Sequence, residues 1–341
     1  MKLAVVTSSP PGIEGGHLVI ARAIVSTARE LGHDARLVVT ADFGFGRTAR
    51  TYAANRMTRV DDVDRVVSLR YPSFAVRHPA HVCWLTHTMR EYYDLWPKFS
   101  ATLSPLNTIK ERTRRALIHA ADNYLLKHNV REVVALSGTV RDRLQRDFNI
   151  VADVLLPPPP PRPYRCDGYE PFVFAASRHV PLKRLDLIVR AVADPAARGM
   201  RVVIAGDGDE RDALETLAEH LGVGDRVTFV GHVDDDALVE YLARCRAVAF
   251  APFSEDYGFL AAEAFASMKP VVTCTDSGGP TELVEDGVSG FVVSPEPKAV
   301  ASALARLMED AALAERMGRC GYARVEPMTW PAAVDRLVKN R

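Results

Sequence analysis

A rhythm of short, wholly apolar runs, each followed by a helical pattern, most restricts what this chain can fold into, and it is interrupted once by five prolines. Before residues 157–161 the runs are LAVVT (3–7), ARLVVT (35–40), RVVSL (65–69), HVCWL (81–85) and EVVAL (132–136). After them come FVFAAS (172–177), RVVIAG (201–206), RVTFVG (226–231), AVAFAPF (247–253), PVVTC (270–274) and GFVVS (290–294). Strands this short and this apolar read as buried on both faces. Their alternation with helices predicts parallel sheets covered on each side. Consecutive prolines lack amide donors and fix φ, so 157–161 should be a stiff, extended linker. The expected fold class is therefore α/β, with two doubly wound Rossmann-like domains facing across a cleft. Ligands in such sheets sit at the carboxyl ends of strands, where the strand order reverses. A length of 341 residues suits two cores better than one.

Charge divides along the same line. The chain holds 43 basic and 43 acidic side chains, so nothing global points to nucleic acid. Residues 1–158 carry 22 basic and 15 acidic groups, and residues 159–341 carry 21 and 28. Either the halves attract each other, or the basic half meets an anionic substrate or membrane surface. The five cysteines are scattered and lack C-x-x-C spacing, which argues against a disulfide framework or a zinc site and fits a cytoplasmic setting. No apolar run approaches the roughly 18 residues of a membrane span, and the opening MKLAVVTSSPPG reads as a first strand, not a leader.

Three stretches could carry chemistry. The loop SSPPGIEGGH (8–17) follows the first strand, and Gly15 and Gly16 would let a ligand approach the backbone at a helix start. Its spacing is not that of a dinucleotide fingerprint. In SRHVPLKRLDLIVRA (177–191), Arg178 and Lys183 stand near a strand end and could clamp phosphates, with Arg184 pointing away. In SEDYGFLAAEAFASMKPVV (254–272), Glu255 lies on a loop and Glu263 inside the helix that follows. The free amides around Gly258, Phe259 and Leu260 suit an anion, and flanking carboxylates accept hydrogen bonds from hydroxyls. Phosphate amides between two hydroxyl acceptors describe a sugar nucleotide. A buried Glu263 among alanines would need a partner. The acids of HVDDDALVEYL (232–242) read as a helix cap, and those of DDVDRV (61–66) form no ligand set, so no metal site is expected.

Together with VVIAGDGDE, RVTFVGHVDDDALVEYL and SGGPTELVEDGVSGFVV, these motifs resemble the family 4 retaining glycosyltransferases of GT-B architecture, also called glycosyl transferases group 1. The resemblance implies sugar transfer from a nucleotide-sugar donor with retained configuration, without metal or other cofactor. It implies that Arg178 and Lys183 hold the diphosphate. Glu255, with Asp256 and Tyr257 beside it, would meet the donor sugar, and Glu263 the ribose. Gly15-Gly16 would approach the diphosphate from the first domain, and His87, just past the strand 81–85, would contact the donor sugar. Arg90, Tyr92 and Tyr93 would shape an acceptor pocket or pack. The implied layout is an acceptor domain at 1–156, a linker at 157–165, a nucleotide-sugar domain at 166–325, and a last helix at 326–341 crossing back to the first domain. Lys269 stands where the family often has glycine.

No residue announces the base. UDP-sugars are the first expectation and GDP-sugars the second, with a glycan, lipid-linked or small-molecule acceptor. A nucleotide-sugar epimerase or a non-catalytic sugar-nucleotide binding protein are the alternatives. The basic stretch IKERTRRALIH (109–119) reads as a solvated helix face or as a surface for an anionic lipid or glycan, which leaves peripheral membrane association open.

Overall fold

The computed structural model describes residues 1–10 and 15–339. Residues 11–14 of the glycine loop and the last two residues of the chain lie outside the described residues. The chain divides into two compact units, Met1–Pro157 with Thr329–Arg341, and Pro158–Met328. The division falls inside the proline run.

The first unit is built on six parallel strands: β1 (Lys2–Ser9), β2 (Asp34–Ala41), β3 (Arg65–Ser68), β4 (His81–Leu85), β5 (Glu132–Ala135) and β6 (Asp153–Val154). Their order in the sheet is β2-β1-β3-β4-β5-β6. Its helices are α1 (Gly16–Glu30), α2 (Thr48–Met57), α3 (Trp96–Ala101), α4 (Pro105–His128) and α5 (Gly138–Phe148). The second unit repeats the plan with β7 (Glu170–Ala176), β8 (Val202–Ala205), β9 (Val227–Gly231), β10 (Cys245–Ala249), β11 (Val271–Cys274) and β12 (Gly290–Val293), in the order β12-β11-β10-β7-β8-β9. These pairs are parallel as well. Helices α6 (Leu185–Ala193), α7 (Arg211–His220), α8 (Asp235–Arg244), α9 (Phe259–Ala266), α10 (Pro280–Leu283), α11 (Pro297–Glu309) and α12 (Ala311–Val325) accompany them.

Each of the eleven apolar runs overlaps a strand. The central ones are buried throughout, as in β3, β4 and β11. The expectation of burial on both faces fails at β2 and β9, where residues such as Arg36, Val39 and Thr228 face solvent. Both are edge strands, flanked by a neighbour on one side only, so they are not fully covered. Strand β6 is two exposed residues and carries no apolar signal. The five cysteines are all free.

Both sheets reverse direction once. In the first, the chain steps from β1 to β2 and then returns to place β3 on the other side of β1. In the second it runs β7, β8, β9 and then returns to set β10 beside β7. The carboxyl ends of β7 and β10 therefore flank the reversal point, where sheets of this kind place their ligands.

The chain ends in α13 (Trp330–Val338), which packs on α1 of the first unit. Its buried residues Trp330, Ala333, Val334, Leu337 and Val338 recur at helical spacing. Trp330 meets the fully buried Trp84 edge-on, with ring centroids 6.5 Å apart. Arg336 donates to Glu132 (2.6 Å) and Asp153 (3.0 Å). We expect Trp330→Ala to destabilise the first unit by about 3–5 kcal/mol, through a cavity against Trp84. Urea unfolding followed by tryptophan fluorescence would measure it.

Candidate functional site

In the second unit the loops after β7 and β10 converge. The loop after β7 is pinned by the loop after β8: the His179 amide donates to the Asp207 carbonyl (2.8 Å), and the Glu210 amide to that of His179 (3.1 Å). The Phe253 amide donates to the Leu182 carbonyl (2.7 Å), which ties the two converging loops together. Beyond Phe253 the chain is held against 276–279, with Glu255 donating to the Ser277 carbonyl (2.7 Å) and accepting from the Gly279 amide (2.8 Å). A side chain at Gly279 would sit 2.4 Å from the Tyr257 backbone, so only glycine permits this approach. Gly258 then caps α9 in the left-handed region (φ 96°), where a Cβ would also strike Phe250 and Pro280.

These constraints place the expected residues as follows. Lys183 and Glu255 form an ion pair, Nζ to Oε2 at 2.6 Å, with side chains 15% and 22% exposed. Arg178 is exposed, and its guanidinium has no partner among the described residues. Arg184 takes the left-handed conformation and does turn elsewhere, bonding Asp276 through both terminal nitrogens (2.8 and 2.7 Å) and the carbonyls of Ala251 and Pro252. It fixes the end of β10. Asp256 is half-buried, whereas Tyr257 is buried and edge-on to Phe259 at 5.2 Å. Burial raises the Tyr257 phenol well above its ordinary pKa, so it stays protonated. Phe259 and Leu260 open α9, and no side chain caps their amides.

Glu263 is buried on α9 and has the partner its burial demands. Arg162 donates to Oε1 through Nη1, and the Tyr164 hydroxyl donates to the same oxygen at 3.2 Å. Arg162 Nη2 reaches Asp235 at 2.8 Å. Burial raises the Glu263 carboxyl above the usual range, and the ion pair with Arg162 and the Tyr164 bond oppose that rise. Both donors use Oε1, which leaves Oε2 to accept from elsewhere. Arg162 and Tyr164 were not anticipated: they belong to the stretch read as linker. Asp234 caps α8 by accepting from the Ala237 amide (2.9 Å), so the acidic run is a helix start, as expected. Its next residue, Asp235, also secures Arg162.

One further residue departs from expectation. The glycine-like conformation in SMKP falls on Met268 (φ 56°), not Lys269. Lys269 is fully buried, with its amine 3.9 Å from the centre of the Tyr169 ring and donating to the Gly168 carbonyl. It anchors the strand leading into β7 and is remote in role from any ligand. His179, beside Arg178, is buried with neither ring nitrogen bonded, and packs edge-on to Phe229 at 6.2 Å. Burial lowers its pKa and favours the neutral ring.

In the first unit, Gly15 is the N-cap of α1 and Gly16 its first residue, at the carboxyl end of β1. His87 follows β4, half-buried, with Nδ1 2.8 Å from the Thr88 carbonyl oxygen. Tyr92 and Tyr93 are packing residues: their hydroxyls donate to the buried Glu111 (2.6 Å) and Asp122 (2.7 Å). Arg90 is held by Asp94 at 2.6 Å.

Residues 162–324 match the family model described as glycosyl transferases group 1. The matched stretch lies within the second unit. Among curated proteins, the D-inositol 3-phosphate glycosyltransferase of Streptomyces griseus is 36% identical over 171 residues, 46% of this chain. The chain spans 36% of that relative's length. Two solved structures are similar over nearly the whole chain. WaaG, a glycosyltransferase of lipopolysaccharide biosynthesis, covers 100% of both chains with a TM-score of 0.74 and 17% identity. Anabaena HepE in complex with UDP and glucose covers 98% of both, with a TM-score of 0.69 and 16% identity. At such identities the likeness concerns the fold, which is GT-B: two Rossmann-like units.

Arg162→Ala should leave Glu263 buried without its cationic partner, with only the Tyr164 hydroxyl still donating to it. A carboxyl with a raised folded-state pKa loses stability as pH rises from its unfolded value, near 4, through the folded one. The variant should thus lose about 3 kcal/mol at pH 8 and clearly less at pH 5. Adding Glu263→Gln should flatten this dependence, as read by urea midpoints at the two pH values.

Proposed function

We propose that the chain is a retaining, metal-independent glycosyltransferase of family 4, using a nucleotide-sugar donor bound by the second unit. The observation that carries this is the Lys183–Glu255 ion pair, which joins the loops after β7 and β10 at the reversal point of the second sheet, with Arg178 on the first loop and the uncapped start of α9 following the second. A cation pair beside free amides suits a diphosphate. The donor would displace the Lys183–Glu255 pair: Lys183 would exchange the carboxylate for phosphate oxygens, and Glu255 would be released to accept from sugar hydroxyls. Glu263, oriented by Arg162 and Tyr164, would offer Oε2 to the ribose. Gly258, Phe259 and Leu260 would contribute amides, with Asp256 and Tyr257 framing the sugar. From the first unit we assign Gly15 and Gly16 to the diphosphate and His87 to the donor sugar, as the family resemblance implies.

In this reading the bond between the sugar's anomeric carbon and the diphosphate breaks as an acceptor hydroxyl attacks from the same face. The leaving phosphate takes the acceptor's proton. Charge growing on the diphosphate is stabilised by Arg178, Lys183 and the helix start, which act where a metal would otherwise be needed. A UDP-sugar is the favoured donor; HepE was solved with UDP and glucose, and the relative from Streptomyces griseus is named a glycosyltransferase. The acceptor is read by the first unit.

Screening UDP-, GDP- and dTDP-sugars by thermal shift should show the largest rise with a UDP-sugar, because a ligand that binds the folded state stabilises it. Glu263→Gln should weaken UDP binding about tenfold and leave turnover at saturation nearly intact. Glu255→Gln should leave UDP affinity within about twofold but cut turnover about a hundredfold, whereas Lys183→Ala, which removes a cation from the diphosphate, should weaken UDP binding and cut turnover together. Equal loss of UDP affinity in both glutamate variants would overturn the division of roles. Tight NAD binding without nucleotide-sugar binding would overturn the whole reading.

A further inference from the structure

A contact between two nucleophiles in the second unit has no part in the site above. Lys269 Nζ stands 3.2 Å from Cys166 Sγ, which lies 103 residues earlier in the sequence. The lysine is fully buried, whereas the cysteine is half-buried and within reach of a small solute. The amine is held in place: it donates to the Gly168 carbonyl, and the centre of the Tyr169 ring lies 3.9 Å from it. The backbone on both sides is fastened too. The Lys269 amide donates to the Ala264 carbonyl (2.8 Å) at the end of α9, and the Asp167 amide to that of Ala243 (2.9 Å). The Tyr169 hydroxyl donates to the Met268 carbonyl (2.8 Å), which joins the two segments again.

Anchoring Lys269 needs only the carbonyl and the ring. The sulfur is a third neighbour, and a reactive one. Cys83, Cys245 and Cys274 are buried, and burial pushes their thiols up to about 12, 12 and 11, so they stay protonated. Cys320 is exposed, but among the described residues Cys166 is the one cysteine hydrogen-bonded to an amine. It combines access for an oxidant with a nitrogen fixed at its sulfur.

We propose that Cys166 and Lys269 form a reversible covalent bond, Sγ to Nζ, when the chain meets hydrogen peroxide. The thiol sulfur first attacks the peroxide. An S–O bond forms, the O–O bond breaks, and the sulfur is oxidised to a sulfenic acid while the peroxide is reduced to water. The amine, having released its extra proton to solvent, then attacks the sulfur. The S–N bond forms as the S–O bond breaks, and the departing hydroxide takes an amine proton and leaves as water. Sulfenic acids condense with nitrogen in this way, and the reacting atoms already lie at the separation from which such a step proceeds. The product is a sulfenamide. Two equivalents of a thiol reductant restore the cysteine and the lysine and become a disulfide. The bond ties the segment before β7 to the end of α9. Arg162 and Tyr164 belong to that segment and meet Glu263 on that helix, so the bond locks the strut that orients Glu263.

The test treats the full chain with hydrogen peroxide, alkylates the remaining thiols and maps the peptides by mass spectrometry. The peptides bearing Cys166 and Lys269 should be joined, with a mass about 2 Da below their sum, and dithiothreitol should separate them. The bond closes a loop across 103 residues, so the oxidised chain should unfold about 5 °C above the reduced one. Cys166→Ser, at a half-exposed position, should fold as the wild type does and lose both the joined peptides and the shift. Lys269→Met fills similar space without an amine, and in it dimedone should trap the sulfenic acid that the wild type consumes. No nucleotide enters the experiment, so its outcome is independent of the donor site. The wild-type map decides even if Lys269→Met fails to fold. Cys166 left as a sulfenic or sulfinic acid, paired with another cysteine, or still reduced when Cys320 is oxidised would overturn the proposal. So would joined peptides about 14 Da above their sum, which keep an oxygen between sulfur and nitrogen.

Discussion

The parallel pairing of β10 with β7 organises the second unit's site. Having laid β7, β8 and β9 in sequence, the chain returns to the far side of β7, and the loops leaving the two adjacent strands meet. Arg178 and Lys183 ride on one loop and Glu255 on the other. Hydrogen bonds from Phe253 to Leu182, and from the 254–255 backbone to 276–277, hold these loops in register. Arg184 and Asp276 brace the end of β10. The side chains proposed to meet a ligand can remain partly exposed because hydrogen bonds hold the backbone beneath them.

Buried charge follows the same economy of partners. Glu263 on an otherwise apolar helix is tolerable because Arg162 and Tyr164 reach it, and Arg162 in turn is balanced by Asp235. Lys269 is a second case: its amine is enclosed by a carbonyl and an aromatic face, and it supports the strand entry into β7. Two buried polar side chains within a few residues of each other in sequence thus serve different ends. One is positioned with an oxygen to spare, whereas the other's contacts fasten it to the backbone.

The first unit carries its polarity differently. Its tyrosines at 52, 92 and 93 turn their hydroxyls inward onto Glu111 and Asp122, which removes both acids of α4 from the surface. Burial lifts the Asp122 carboxyl to about 7, and the hydrogen bonds from Tyr52 and Tyr93 oppose that rise. The outward face is left to cations and apolar side chains. An even charge balance over the whole chain conceals this, because the compensating acids belong to the second unit.

The apolar runs determined where strands form, since a parallel strand covered by helices on both sides must be apolar along its length. Local spacing likewise determined the α9 motif, with a glycine ahead of a helix and acids on either side of its start. The tertiary structure decided what no local pattern encodes. Strand order made β2 and β9 edges, and left them partly wet despite their apolar composition. Chain return brought Arg162 and Tyr164 to Glu263 across separations of 101 and 99 residues. The basic stretch 109–119 was legible as charge, but whether its leucines and isoleucines faced inward or outward depended on which side of α4 the sheet took. Periodicity reports that a helix has two faces, and only packing chooses the one that stays in water.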